Sequence, residues 1–180
     1  MDILDFLPAT INTTPSKKIT GRKRLQKIIH LLELAGADVE GKFDLLHYGP
    51  FSKNVSTALE ELEFQGLVKE TVQASGVYDT IQYVYEIGDL FDVDSKVPEL
   101  PDDTDRKLLA KIEEYSTIDL EVASTIGFFE TQKPDREYAK GKTKEIKPNK
   151  MIPAVIKNAE EILSLIYETK NSRDRQAQKV

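Results

Sequence analysis

The sequence predicts an α+β protein with a small helix-and-hairpin module in its N-terminal half and helices in its C-terminal half. Three observations predict it. Leu25, Ile28, Ile29, Leu32 and Ala35 recur three and four residues apart, the spacing of one buried helical face. Leu59-x-x-Leu62-x-x-x-Gly66-Leu67-Val68 sets two leucines one turn apart, then a glycine stop, then a strand that leaves at once. Two β-like runs follow, Leu67–Val72 and Thr80–Ile87, separated by a loop of hairpin length. Helix, second helix, glycine junction and hairpin are the parts of a winged-helix-like module, here over about residues 19–88, followed by a helical C-terminal extension.

The elements are justified in chain order. Residues 1–18 read as an N-terminal arm whose apolar patch, Ile3 to Leu7, docks a short helix. The first strong helix runs from Arg22 to Ala35, with Thr20 as N-cap and Gly36 as a left-handed stop. Lys42 to Tyr48 reads as a short strand, after which Gly49-Pro50 turns the chain. Ser52 caps a second helix reaching Gln65, with Val55, Ala58, Leu59 and Leu62 as its buried stripe. In the second β-run, Ile81, Tyr83 and Tyr85 share a face. Residues 89–103 are acidic, contain Pro98 and Pro101, and read as a linker. Residues 104–170 form the extension. Helices are expected at Thr104–Tyr115 and Ile118–Glu130, the second capped by Asp119, then a polar loop at Gln132–Lys147 and a last helix entered at Pro153. The last helix packs on the body or pairs two chains into a homodimer. Residues 171–180 read as a frayed tail.

Composition narrows the function classes. Of 180 residues, 39% are hydrophobic, enough for a core and too many for a disordered chain. Cysteine is absent, which removes disulfides and thiolate metal sites and fits a cytoplasmic setting. The start, Met1-Asp2-Ile3-Leu4-Asp5, is not a secretory signal, and no apolar run approaches the roughly 20 residues that span a bilayer, so no membrane partner is expected. His30 and His47 have no metal-ligand spacing, and no phosphate loop, Gly-x-Ser-x-Gly or spaced carboxylate pair is present. The expectation is a non-enzyme without cofactor or metal.

Two readings remain open. Lys17, Lys18, Arg22, Lys23, Arg24 and Lys27 form a basic run without an acid. On a double-stranded DNA ligand, Arg22, Lys23, Arg24 and Lys27 would contact phosphates, while Lys53, Asn54 and Thr57 would approach base edges. Against this stand Glu60, Glu61 and Glu63, a net charge of −6, and a wing tip, Ala74 to Asp79, without Lys or Arg. The second reading is a protein-interaction module. There Tyr48-Gly49-Pro50-Phe51 either packs both rings inward or presents them to a partner peptide. The basic stretch from Lys133 to Lys150 reads as a phosphate-contacting or simply solvated loop. Tyr78, Tyr83 and Tyr85 read as half-buried strand aromatics or as a base-stacking platform.

One resemblance bears on this choice. Gly21-Arg22-Lys23-Arg24-Leu25-Gln26-Lys27-Ile28-Ile29-His30-Leu31-Leu32, followed by Tyr48-Gly49-Pro50-Phe51-Ser52, resembles the YwgA-like family and, more distantly, the Panacea (SocA-like antitoxin) domain. Leu120-Glu121-Val122-Ala123-Ser124-Thr125-Ile126 is similar to a downstream helical motif of the first. The resemblance implies a winged-helix-like fold. Through the antitoxin relatives it implies protein binding as readily as transcription regulation. The long helical C-terminal half departs from a simple antitoxin.

Overall fold

The computed structural model describes residues 1–75, 80–91 and 97–178. Its first helix, α1, spans Ile3–Thr13, and the Asp2 carboxylate caps it by accepting the Leu4 N–H at 2.9 Å. Phe6, Leu7, Ala9 and Ile11 of α1 are buried, so the expected docked helix lies in the core itself. Strand β1 is Lys18–Thr20, and helix α2 is Arg22–Leu34. Thr20 does not cap α2, because it belongs to β1 and pairs with Val84. Gly21 takes the cap position at φ +100°, without a side-chain bond. Every residue from Leu25 to Leu32 is buried, so α2 is an internal helix and not an amphipathic surface one.

A small antiparallel hairpin follows, β2 at Asp44–Leu46 and β3 at Gly49–Phe51. The expected turn at Gly49-Pro50 is therefore a strand, and the chain reverses at His47 and Tyr48 instead. The reason lies outside the hairpin. Gly49 sits at φ +85°, where a β-carbon would come within 2.5 Å of Thr125 Oγ1, so the glycine serves close packing. Helix α3 is Lys53–Phe64, capped as expected by Ser52, whose hydroxyl accepts the Val55 N–H at 3.0 Å. Gly66 at φ +70° closes it. Strands β4, Val68–Ser75, and β5, Thr80–Ile87, form the expected hairpin and join β1 in a sheet ordered β1-β5-β4. Residues 76–79 of the wing-tip loop, including Tyr78, lie outside the described residues.

The C-terminal half is helical: α4 at Asp103–Ile112, α5 at Thr117–Gln132, α6 at Arg136–Ile146, a 3₁₀ turn at Pro148–Lys150, and α7 at Pro153–Ala177. Helix α5 is the hub; it packs against α2, α6, α7 and β3. Ser116 caps it, and Asp119 closes the reciprocal capping box from the third helical position. The polar loop expected at Gln132–Lys147 is largely helix α6. Asp135 caps α6, and its buried seam is only Ala139 and Thr143, too thin a stripe to register as periodicity. The tail expected to fray from Asn171 is likewise helical through Ala177. Arg173 holds it: Nη1 donates to the Ala35 carbonyl at 3.0 Å, and Nη2 pairs with Asp105 at 2.5 Å and Asp102 at 3.1 Å.

Part of the expected linker also packs. Asn12 Nδ2 donates to the carbonyls of Val97 and Pro98, at 3.3 and 3.2 Å. The Leu100 N–H donates to Thr13 Oγ1 at 2.9 Å, and Leu100 is buried. Residues 92–96 lie outside the described residues. A single apolar cluster runs from Phe6 through Leu32, Leu59 and Ile126 to Ile166. The apolar stripe of α7 packs within the chain, against α5 and α4.

Candidate functional site

A concavity with a largely apolar lining lies where α2, α3 and the β2–β3 hairpin meet. Its volume is about 440 Å³, inside the range of ligand and anchor-residue pockets. The exposed Leu46 and Tyr48 of the hairpin and the half-buried Phe51 supply its accessible apolar lining, backed by the buried Leu25, Val55 and Leu59. Leu46 and Tyr48 are exposed, at 53% and 55%. Such solvent-facing apolar groups beside a cavity mark a surface suited to contact.

Two side chains hold the walls together. Gln26 brackets the backbone of Ser52, the residue that caps α3. Its Oε1 accepts the Ser52 N–H at 2.9 Å, and its Nε2 donates to the Ser52 carbonyl at 3.0 Å and to Ser56 Oγ at 3.2 Å. Lys27, only 2% exposed, donates to the Pro50 carbonyl, so a residue without an N–H of its own is held through its oxygen. Burial pushes the Lys27 ammonium down to about 8. Glu121 opposes that shift, and Lys147, Lys23 and Lys150 add to it. Behind β3, Glu121 is almost fully buried and pairs with Lys147 at 2.6 Å and Lys150 at 2.7 Å. Burial acts to raise the Glu121 carboxyl, but hydrogen bonds from the two ammonium groups hold it below its usual value.

The candidate DNA-contact residues each have a definite place. Arg22 is exposed yet fully engaged. Its Nη2 donates to both Glu70 oxygens at 3.1 and 2.9 Å, its Nε donates to Tyr85 Oη at 2.8 Å, and its guanidinium lies 4.4 Å from the Tyr83 ring centre. Hydrogen bonds to Glu70 and Tyr85 raise its pKa. Lys23 sits 3.4 Å from the Tyr48 ring centre. Arg24 closes the end of α4, donating to the carbonyls of Tyr115 at 2.7 Å and Glu113 at 2.5 Å. Lys27 is the buried strut just described. Lys53, Asn54 and Thr57 are exposed on α3. Tyr83 is half-buried, as one of the two expected readings had it, whereas Tyr85 is buried outright. His30 is buried between Phe43 and Phe128, with Nδ1 2.9 Å from Ser124 Oγ, and burial with Lys27 nearby drives it down to about 3.

Glu60 and Glu63 line the α3 wall of the cavity, and the sequence reading weighed them only as an obstacle to DNA. Neither is in an ion pair among the described residues, and Arg22 on the facing helix is already paired with Glu70. Burial, then Glu70, raises the Glu63 carboxyl, and Glu60 adds to that. The signal that could have found the wall was their spacing of three, which puts both on one helical face. Among the described residues, no group of three or more His, Cys, Asp or Glu could hold a metal ion, and no helix is long and apolar enough to cross a membrane.

Comparison with known proteins gives one informative relative. No family model and no solved structure matches the chain. The uncharacterized protein YwgA of Bacillus subtilis (strain 168) is 31% identical over 116 residues, covering 64% of this chain and 68% of that protein. Identity at that level over that much of both sequences shows common descent, and the chain belongs to the YwgA family.

Proposed function

We propose that this protein is a protein-interaction module built on a winged-helix-type scaffold, and that the α2–α3–hairpin cavity is its contact site. The scaffold reading is supported by the element order α1-β1-α2-α3-β4-β5, with the β2–β3 hairpin inserted before α3, and by the sheet order β1-β5-β4. One observation carries the choice of ligand. Arg22, Arg24 and Lys27 are bound to Glu70, to the end of α4 and to Pro50, so three of the four groups that would meet phosphates already have intramolecular partners. What the same face offers instead is an accessible apolar lining of Leu46, Tyr48 and Phe51. An adaptor or antitoxin-type role is one form such a module takes.

The test joins two measurements. A photo-crosslinking residue at Leu46 should trap one protein at stoichiometric yield, and the same residue at Lys107, an exposed position on α4, should trap none. Duplex DNA of random sequence should show no salt-steep binding in fluorescence anisotropy. Lys53, Asn54 and Thr57, exposed together on α3, favour DNA contact as the second reading. Binding that falls steeply with salt and with Lys53→Ala would establish that reading in place of the first.

A further inference from the structure

The walls of the cavity differ in their free charge, and the difference selects an occupant. On the α2 side Arg22 is paired bidentately with Glu70, and Lys23 rests on the Tyr48 ring with its positive charge kept, so this wall is basic where the other is acidic. On the α3 side Glu60 and Glu63 stand one turn apart on the cavity wall with no cation between them among the described residues. Burial first, then Glu70 and to a lesser degree Glu60, raise the Glu63 carboxyl, with Arg22 opposing. A cation arriving there would relieve two like charges at once. Between the walls lie Leu46, Tyr48 and Phe51, whose accessible apolar surface only an apolar group can cover without leaving polar atoms unpaired.

Resting on the protein-interaction reading, we infer that the occupant is a segment of a partner protein that seats one bulky apolar side chain against Leu46, Tyr48 and Phe51 and sets an adjacent lysine or arginine against Glu60 and Glu63. The volume suits an aromatic or branched aliphatic anchor with part of its neighbour. The bracket made by Gln26 and Lys27 fixes the two walls before the segment arrives, so little ordering is required on this side. An acidic segment would meet two carboxylates at the rim and is selected against.

The experiment selects a phage-displayed random dodecapeptide library on the full chain and measures the enriched sequences, as fluorescent synthetic peptides, by anisotropy. Enriched peptides should pair an aromatic or aliphatic residue with a neighbouring Lys or Arg. Glu60→Lys/Glu63→Lys should weaken them about tenfold, since two rim attractions become repulsions. A peptide with its basic residue changed to Glu should bind the wild type poorly and regain affinity on that double variant. Ser56→Trp, which fills the cavity, should abolish binding, with a thermal melt confirming that it folds. Peptides blocked by Ser56→Trp but indifferent to Glu60→Lys/Glu63→Lys would overturn the charge inference and leave the contact site standing. Binding unmoved by Ser56→Trp, or no enrichment at all, would overturn both.

Discussion

Lys27 offers a measurement that depends on the placement of a single ammonium. It is 2% exposed, touches one backbone carbonyl, and titrates at about 8 instead of its ordinary 10.5. Between those values the unfolded chain holds a proton that the folded chain has released, so stability rises with pH. Below about 8 both states are protonated and the burial penalty is carried in full; above 10.5 it is gone. Linkage between the two values gives a gain of about 2 kcal/mol from about pH 7 to about pH 9.5. For a chain of this length that is roughly 4–8 °C in Tm. Tyr85 and Tyr167 also have raised values, chiefly from burial, but they act above 10.0 and with the opposite sign, so the range stops below them. Urea unfolding of the wild type and of Lys27→Met across that range reads the effect. The wild type should gain stability with pH relative to the variant, which keeps the volume and loses the proton. Parallel profiles would refute the buried-ammonium reasoning, and a wild type that loses stability relative to the variant would reverse its sign.

Other parts of the structure give equally direct expectations. Gly49→Ala should lower stability by at least about 2 kcal/mol, because φ +85° strains any β-carbon and Thr125 Oγ1 stands 2.5 Å from where it would be; the urea midpoint measures it. Gln26→Ala leaves the Ser52 N–H without its side-chain acceptor and should lose about 1–3 kcal/mol in the same assay. Arg173→Ala removes the partner of the buried Asp105 carboxylate and should lower stability by about 3 kcal/mol. Removing residues 171–180 should act similarly in a thermal melt, whereas a frayed tail would leave Tm unchanged.

What could be read in advance was what is local. The α2 and α3 stripes, the Ser52 cap and the glycine stop at Gly66 each depend on residues a turn or two apart, and they stand where periodicity put them. The misreadings share a different cause. Gly49-Pro50 looks like a turn, but its glycine is required by Thr125, and Pro50 works through the oxygen that Lys27 takes. Helix α6 has a seam of two small residues, so its lysines masked it. Arg22 and Arg24 stand in an unbroken basic run, yet Glu70 and Tyr115 are 48 and 91 residues away. No window on a single sequence reveals such partners. The two short motifs that carry the family resemblance close on each other: Gln26 holds Ser52, and Lys27 holds Pro50. They therefore form the bracket of the site, and the contacting surface falls to less conspicuous neighbours. Leu46 and Tyr48 line the cavity mouth while Glu60 and Glu63 wall it, and on the proposed protein-interaction reading those four side chains are the first to vary.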